Sequence, residues 1–180
     1  MSLVKRYYIM NIEESQCSAR TERKKKAVKK ADVAVDLYNR GFHCSQAVLA
    51  AFADELGVTE EVALRLGSCL GTGMRKGEVC GACTGALMAL GLKYGQDREG
   101  DAESRQRSNR VCDKLMERFS EANGSWLCND LLGYDVTTPH GLQVIREQKL
   151  FTVFCPQMVR SAAEIVEQIM KEESDACDEN

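Results

Sequence analysis

Residues 79–95 read VCGACTGALMALGLKYG. Apolar and small residues fill almost every position from Val79 to Tyr94, so no polar face remains for water. A helix that is apolar on all sides lies inside a protein, and we predict a buried helix here. Gly81, Gly85 and Gly91 each cost a helix about 1 kcal/mol relative to alanine. Their presence predicts close packing, or close approach to a bound group.

The regions on both sides of this helix also carry helical signals. Only two prolines occur in 180 residues, and apolar residues recur at helical spacing on either side. Residues 150–154, LFTVF, resemble a strand, but a single strand cannot form a sheet. Residues 71–77 form a glycine-punctuated loop that we expect to border the cysteines. The sequence predicts an all-α, single-domain, multi-helix bundle of about six to seven helices, with no substantial sheet.

The predicted organisation has three parts. Residues 1–20 lack periodicity and form an N-terminal arm, residues 21–172 form the cysteine-rich helical domain, and residues 173–180 form an acidic tail. The basic run over residues 20–30 fits the solvated start of a helix better than a nucleic-acid patch. The net charge of −3 lacks the basic excess of nucleic-acid binders, so we expect no nucleic-acid partner.

Membrane and export signals are missing from the sequence pattern. The longest apolar runs have seven residues, far below the ~20 that span a bilayer. The first residues, MSLVKRYY, contain no apolar core of a signal peptide. We therefore expect no membrane insertion and a cytoplasmic location.

Nine cysteines are the most informative count. They make up 5% of the chain, below the ~8–10% of disulfide scaffolds, and cytosolic cysteines at this density more often bind metal or carry out redox chemistry. A helix N-terminus stabilises a thiolate and lowers the pKa of a cysteine. Four cysteines lie at predicted helix N-termini: Cys44, Cys80, Cys128 and Cys155.

Cys80 and Cys83 form a CxxC motif whose spacing predicts two sulfurs on one helical face. Such a motif is either a dithiol–disulfide switch or half of a metal site. No strand precedes it, which argues against a thioredoxin-like motif. A zinc module needs a second CxxC or a close histidine pair, whereas His43 and His140 lie 97 residues apart. We expect His43 to be a polar surface residue or a cap.

The hexapeptide CGACTG at residues 80–85 resembles the CGAxxG signature of the redox-active protein family named for its C_GCAxxG_C_C motif. The similarity covers about residues 30–170 and includes GFHCSQA at 41–47 and CNDLLG at 128–133. It implies redox activity, and related domains in multihaem proteins suggest iron–sulfur binding. The shared cysteines of the family correspond to Cys44, Cys80, Cys128 and Cys155.

Cys69, Cys83 and Cys112 are additional to that pattern and are alternative metal ligands, while Cys17 and Cys177 have no predicted role. The cofactor implied is an iron–sulfur cluster, or alternatively zinc or another thiophilic metal. The sequence lacks CxxCH, so no covalent haem is expected.

Three functions remain open from the sequence. The first is electron transfer or redox sensing by a metal or cluster on the four shared cysteines, with an unidentified redox partner protein. The second is a metal-free dithiol oxidoreductase or thiol sensor, in which Cys80 attacks and Cys83 or Cys44 resolves. The third is a helical interaction protein with packed cysteines. The apolar helix over residues 79–94 could also support a homodimer. If the protein is an enzyme, we expect an oxidoreductase.

Overall fold

The computed structural model describes residues 28–178. This part of the chain forms nine helices, and seven of them have eight or more residues. The predicted all-α class is confirmed, and the nine helices of the described residues exceed the predicted six to seven. The helices are α1 Lys30–Asn39, α2 Cys44–Ala51, α3 Glu60–Gly67, α4 Gly81–Tyr94, α5 Ala102–Asn123, α6 Cys128–Leu132, α7 Pro139–Glu147, α8 Leu150–Val153 and α9 Cys155–Asp178. The predicted arm, residues 1–20, lies outside the described residues.

The strand-like stretch at residues 150–154 is a single helical turn, α8. The N–H groups of Thr152 and Val153 both donate to the carbonyl of Lys149, at 2.9 Å. Lys149 has a left-handed backbone, with φ of 56°, and this sharp turn separates α7 from α8. Between residues 28 and 178 no strand forms, and the β-type pairing there is one antiparallel bridge between Val79 and Leu127.

Helices α2 and α4 form the centre of the bundle. Helix α9 crosses α1, α2, α4 and α5, and so closes the core on one side. The approach of α2 to α4 is close at Gly85, where an added Cβ would lie 2.6 Å from the carbonyl oxygen of Ser45. A Cβ on Gly91 would meet nothing within 4 Å. Close packing therefore explains Gly85 but leaves Gly91 unexplained.

Polar side chains fix several helix starts. The Thr59 side chain accepts from the N–H of Val62 at 3.2 Å and so caps the start of α3. Helix α7 begins at Pro139. Its N-cap is Thr138, and proline suits the next position because its missing N–H has no helical partner there.

The last helix continues to Asp178, so residues 173–178 of the predicted acidic tail are helical. Ion pairs join this end of α9 to α5. Glu172 accepts two hydrogen bonds from Arg118, each at 2.9 Å, and Glu173 accepts one from Lys114 at 2.9 Å. Within the described chain, no helix combines the length and the apolar character needed to cross a membrane.

Candidate functional site

A cavity of about 440 Å³ opens between the N-terminal ends of several helices. Cysteines that are far apart in the sequence line this cavity together: Cys44, Cys80, Cys128 and Cys155. The structure therefore brings the four cysteines singled out from the sequence to one place.

Each of these cysteines lies at the start of a helix. Cys44, Cys128 and Cys155 are the first residues of α2, α6 and α9, and Cys80 is the N-cap residue of α4. Cys80 and Cys128 are buried, whereas Cys44 and Cys155 are half-buried. Helix N-termini present N–H groups that lack partners within the helix. The cavity is thus surrounded by helix ends with their positive dipole charge.

The bridge between Val79 and Leu127 holds two of the cysteines opposite each other. The N–H of Cys80 donates to the carbonyl of Trp126 at 2.8 Å, and the N–H of Cys128 donates to the carbonyl of Glu78 at 2.7 Å. Two chain segments almost fifty residues apart are thereby locked side by side. Sequence reasoning missed this pairing, because one bridged residue on each side leaves no alternating pattern.

Aromatic and apolar side chains form most of the remaining wall, with Phe42, Phe151 and Met158 among them. Among the described residues that line the cavity, none is Lys, Arg, Asp or Glu. The Tyr38 hydroxyl donates to the carbonyl of Phe151 at 2.8 Å, and it also lies within hydrogen-bonding reach of the Cys155 thiol. Sequence reasoning did not identify Tyr38, since a tyrosine on a helical apolar face carries no distinguishing signal.

Burial raises the pKa of all four cavity thiols. The pKa rises to about 12 at Cys128 and to about 11 at Cys155, first through desolvation and then through the nearby charge of Cys44. The pKa values of Cys44 and Cys80 are raised as well, also chiefly by burial. The prediction that helix N-termini lower these pKa values is therefore wrong for the protein without a bound group. Desolvation outweighs the dipole because the cavity holds no countercharge.

Backbone groups surround the Cys44 sulfur. Backbone groups of Thr72, Ser45 and Ala82 bond to it and partly offset the rise of its pKa. Its sulfur occupies the place where a Cβ on Gly81 would lie, so α4 approaches α2 closely at this point. The close approach predicted for Gly81 is therefore explained by a cavity cysteine.

The loop over residues 71–77 borders the cavity as expected. Thr72, Met74 and Arg75 adopt left-handed backbone conformations, and Thr72 lines the cavity wall. A Cβ on Gly77 would collide with the Asn129 side chain, so the loop is packed against α6. Three left-handed residues other than glycine in four positions store strain, and such strain concentrates at functional sites.

The other cysteines lie elsewhere. Cys83 is buried on α4, and its sulfur lies 3.4 Å from the Met116 sulfur on α5. It does not line the cavity, because Cys80 precedes the helix and the two CxxC sulfurs do not share a helical face. Cys112 is half-buried on α5, and Cys69 is exposed after α3. Cys17 and the side chain of Cys177 fall outside the described part.

His43 is the N-cap residue of α2, and its N–H donates to Gln46 Oε1 at 2.9 Å. This confirms the predicted capping position. The side chain of His43 is exposed and borders the cavity mouth.

The donor set of the cavity fits a thiophilic group. Four thiols in a site without countercharge stay protonated until a cation arrives, and metal binding then releases their protons. In residues 28–178 no three side chains of His, Cys, Asp or Glu are already arranged around one metal-ion position. The sulfurs instead surround a volume that can accept several atoms.

Comparison with known families agrees with this geometry. A family model described as "Putative redox-active protein (C_GCAxxG_C_C)" matches residues 42–169, which include all four cavity cysteines. The chain belongs to this family. Membership in the C_GCAxxG_C_C family assigns redox activity as the broad function. No match was found among curated proteins, and none among solved structures.

Proposed function

We propose that this C_GCAxxG_C_C protein holds an iron–sulfur cluster in the four-cysteine cavity and works in electron transfer or redox sensing. The observation that carries the proposal is the convergence of four helix-start cysteines on one cavity of about 440 Å³. Four thiolates are the usual ligand set of iron–sulfur clusters, and zinc also accepts four thiolates. The ligands are Cys44, Cys80, Cys128 and Cys155.

The size of the cavity favours a cluster over a single ion. A zinc site requires its sulfurs at about 2.3 Å from one point. No such arrangement of three donors exists in the described residues, and the cavity volume suits a group of several atoms. When bound, a cluster supplies one-electron redox chemistry.

The surrounding residues have roles that suit such a group. Phe42, Phe151 and Met158 give the cavity an apolar wall around the sulfurs. Backbone hydrogen bonds from Thr72 and Ala82 stabilise negative charge on the Cys44 sulfur. Water exclusion and hydrogen bonds to sulfur are the means by which proteins set the potential of a cluster.

The test is metal and sulfide analysis of anaerobically purified protein, together with an ultraviolet–visible spectrum. We expect iron, acid-labile sulfide and charge-transfer bands. Cys128→Ser should lose most of the iron, because Cys128 is buried in the cavity wall. Cys69→Ser is the matched control and should keep all of it, because Cys69 is exposed after α3.

Full metal content in three or more single serine variants of the four cavity cysteines would refute the ligand assignment. Colourless protein with zinc and no sulfide would replace the cluster with a structural or Lewis-acid site.

A metal-free thiol–disulfide function is the second candidate, with Cys80 attacking and Cys44 resolving. It is favoured by the proximity of Cys44 to Cys80. Ionisation of Cys44 is the second largest cause of the raised pKa of Cys80, and burial is the largest. The same rise opposes it, because the thiolate is the attacking form. Alkylation of metal-free protein as a function of pH tests this candidate. A low pKa at Cys80 would favour it, and titration of Cys80 at or above the free-thiol range would reject it.

A further inference from the structure

We propose that Cys83, Cys112 and Met116 form a second, separate metal site between α4 and α5, and that this site binds Cu(I). It lies outside the four-cysteine cavity and does not depend on the function proposed for that cavity. The family pattern does not include these cysteines.

The geometry begins with Cys83 and Met116. Cys83 is fully buried on α4, and its thiol contacts the Met116 thioether on α5 with 3.4 Å between the sulfurs. Cys112 lies four residues before Met116 on α5, which places both on one face of that helix. Cys112 lies close enough to Cys83 for its ionisation to raise the pKa of the Cys83 thiol, in second place after burial. Two thiols and one thioether therefore lie near one another at the interface of α4 and α5.

This group is distinct from the four-cysteine cavity. Cys80 lines that cavity together with Cys44, Cys128 and Cys155, whereas Cys83 is absent from the cavity wall. The Cys83 sulfur instead contacts the Met116 sulfur on α5.

The donor chemistry selects the metal. Thiolates and thioethers are soft ligands that prefer Cu(I), whereas Mg²⁺ and Ca²⁺ prefer oxygen ligands. Cys112 is half-buried, so the site has an opening at the surface of α5, and Cys83 supplies a dry inner wall. On binding, the two thiols release their protons to solvent and copper–sulfur bonds form. Copper enters as Cu(I), so no electron is transferred.

The test is an anaerobic Cu(I) titration in competition with a chromogenic Cu(I) chelator. The four-cysteine cavity also takes up soft metal, so the measurement is the difference between variants. Wild type should hold one more chelator-resistant Cu(I) than Cys112→Ser. Met116→Leu conserves side-chain volume and should keep the fold while weakening this copper by about tenfold or more, the scale on which lost supporting groups affect metal sites.

Two matched controls separate a specific site from general thiol binding. Met88→Leu changes a half-buried methionine elsewhere on α4, and Cys69→Ser removes an exposed cysteine. Both should bind copper as wild type does. Cys128→Ser, which damages the four-cysteine cavity, should keep the α4–α5 copper, so failure of one site leaves the other measurable.

Equal copper retention in wild type and Cys112→Ser would overturn the proposal. An equal loss in Cys69→Ser would do so as well. Thermal unfolding of each variant without copper shows whether a loss reflects the site or the fold.

Discussion

At the scale of single residues, Tyr38 is a polar group of the cavity wall that lies beside a cavity sulfur, that of Cys155. Its hydroxyl has one proton, which the structure directs to the carbonyl of Phe151, and it also lies within reach of Cys155. Burial is the largest cause of the raised pKa of Tyr38. Ionisation of Cys155, Cys44 and Cys80 raises it further. The hydroxyl therefore stays protonated and remains a donor near the sulfurs.

Tyr38→Phe should make the midpoint potential of the bound cluster more negative. When Cys155 is a thiolate, the Tyr38 proton can turn from the Phe151 carbonyl to that sulfur, where it stabilises the reduced, more negative form, and phenylalanine removes that donor. In the protein without a bound group, the free energy of unfolding should fall by about 1 kcal/mol, since the Phe151 carbonyl loses its partner. Potentiometric titration and chemical denaturation measure the two effects.

Tyr134→Phe is the control, because that hydroxyl pairs with Gln148 away from the cavity wall. Equal potentials in the two variants would contradict a role for Tyr38 in tuning the cluster.

The residues of the site were predictable to different degrees. The sequence placed four cysteines at helix starts, because glycine, proline and the apolar spacing mark those starts locally. It failed on their pKa values, since burial depends on distant walls such as Met158. The sequence also predicted that Cys80 and Cys83 share one helical face. That prediction depends on the first residue of the helix, which local sequence does not determine to better than one or two positions.

At the scale of elements, helix α4 shows how close packing restricts which residue a helical position can hold. Gly85 faces the backbone of α2, whereas Gly91 is exposed on the same helix with no atom within 4 Å of an added Cβ. The two positions share helical backbone and differ in their surroundings. They form a matched pair.

Gly91→Ala should raise the free energy of unfolding by about 1 kcal/mol, because alanine restricts the unfolded chain and favours the helix. Gly85→Ala should lower it by roughly 1–3 kcal/mol, because the new methyl group would press on the Ser45 carbonyl and force α2 away from α4. Urea denaturation of both variants measures these changes. Equal effects of the two substitutions would show that packing at Gly85 does not restrain the helix.

Element boundaries show where sequence reasoning stops. The helix α4 carries a strong local signal, and its predicted range of residues 79–94 is close to the observed Gly81–Tyr94. The bridge between Val79 and Leu127 and the helical turn α8 are set by tertiary hydrogen bonds or by one left-handed residue. Such short elements contain too few residues to show a hydrophobic periodicity in the sequence.

At the scale of the whole molecule, the C-terminal half of α9 is attached by charge as well as by apolar packing. Glu173 is only 12% exposed and lies between Lys114 and Arg107. The hydrogen bond from Lys114 holds the pKa of Glu173 below its ordinary value, and Arg118 does the same for Glu172. Both carboxylates therefore favour the folded state when ionised.

Stability should consequently fall as the solution is acidified. A lowered folded pKa contributes stability above the unfolded value near 4.5, and that contribution is lost as the pH falls through the lower folded pKa. Glu173→Gln should lower the free energy of unfolding at neutral pH. The free energy of unfolding of this variant should also decrease less steeply than that of wild type between about pH 5 and pH 3. Urea denaturation across this range measures both effects.

Glu164→Gln is the control, since its pair with Arg160 on the surface of the same helix spans 3.8 Å and is half-exposed. An unchanged acid slope in Glu173→Gln would contradict the assignment.

The order of the four cysteines along the chain has a consequence for biosynthesis. Cys44 and Cys155 are 111 positions apart. The last of the four cavity cysteines is synthesised only with the start of α9. A ribosome extends a chain at about 5–20 residues per second, so the first cysteine waits several seconds for the last. During that interval, Cys44 and Cys80 have left the ribosome without their partners. The nascent protein therefore passes through a period in which these thiols lack their partners, and the proposed cluster can be loaded only after the start of α9 has been made.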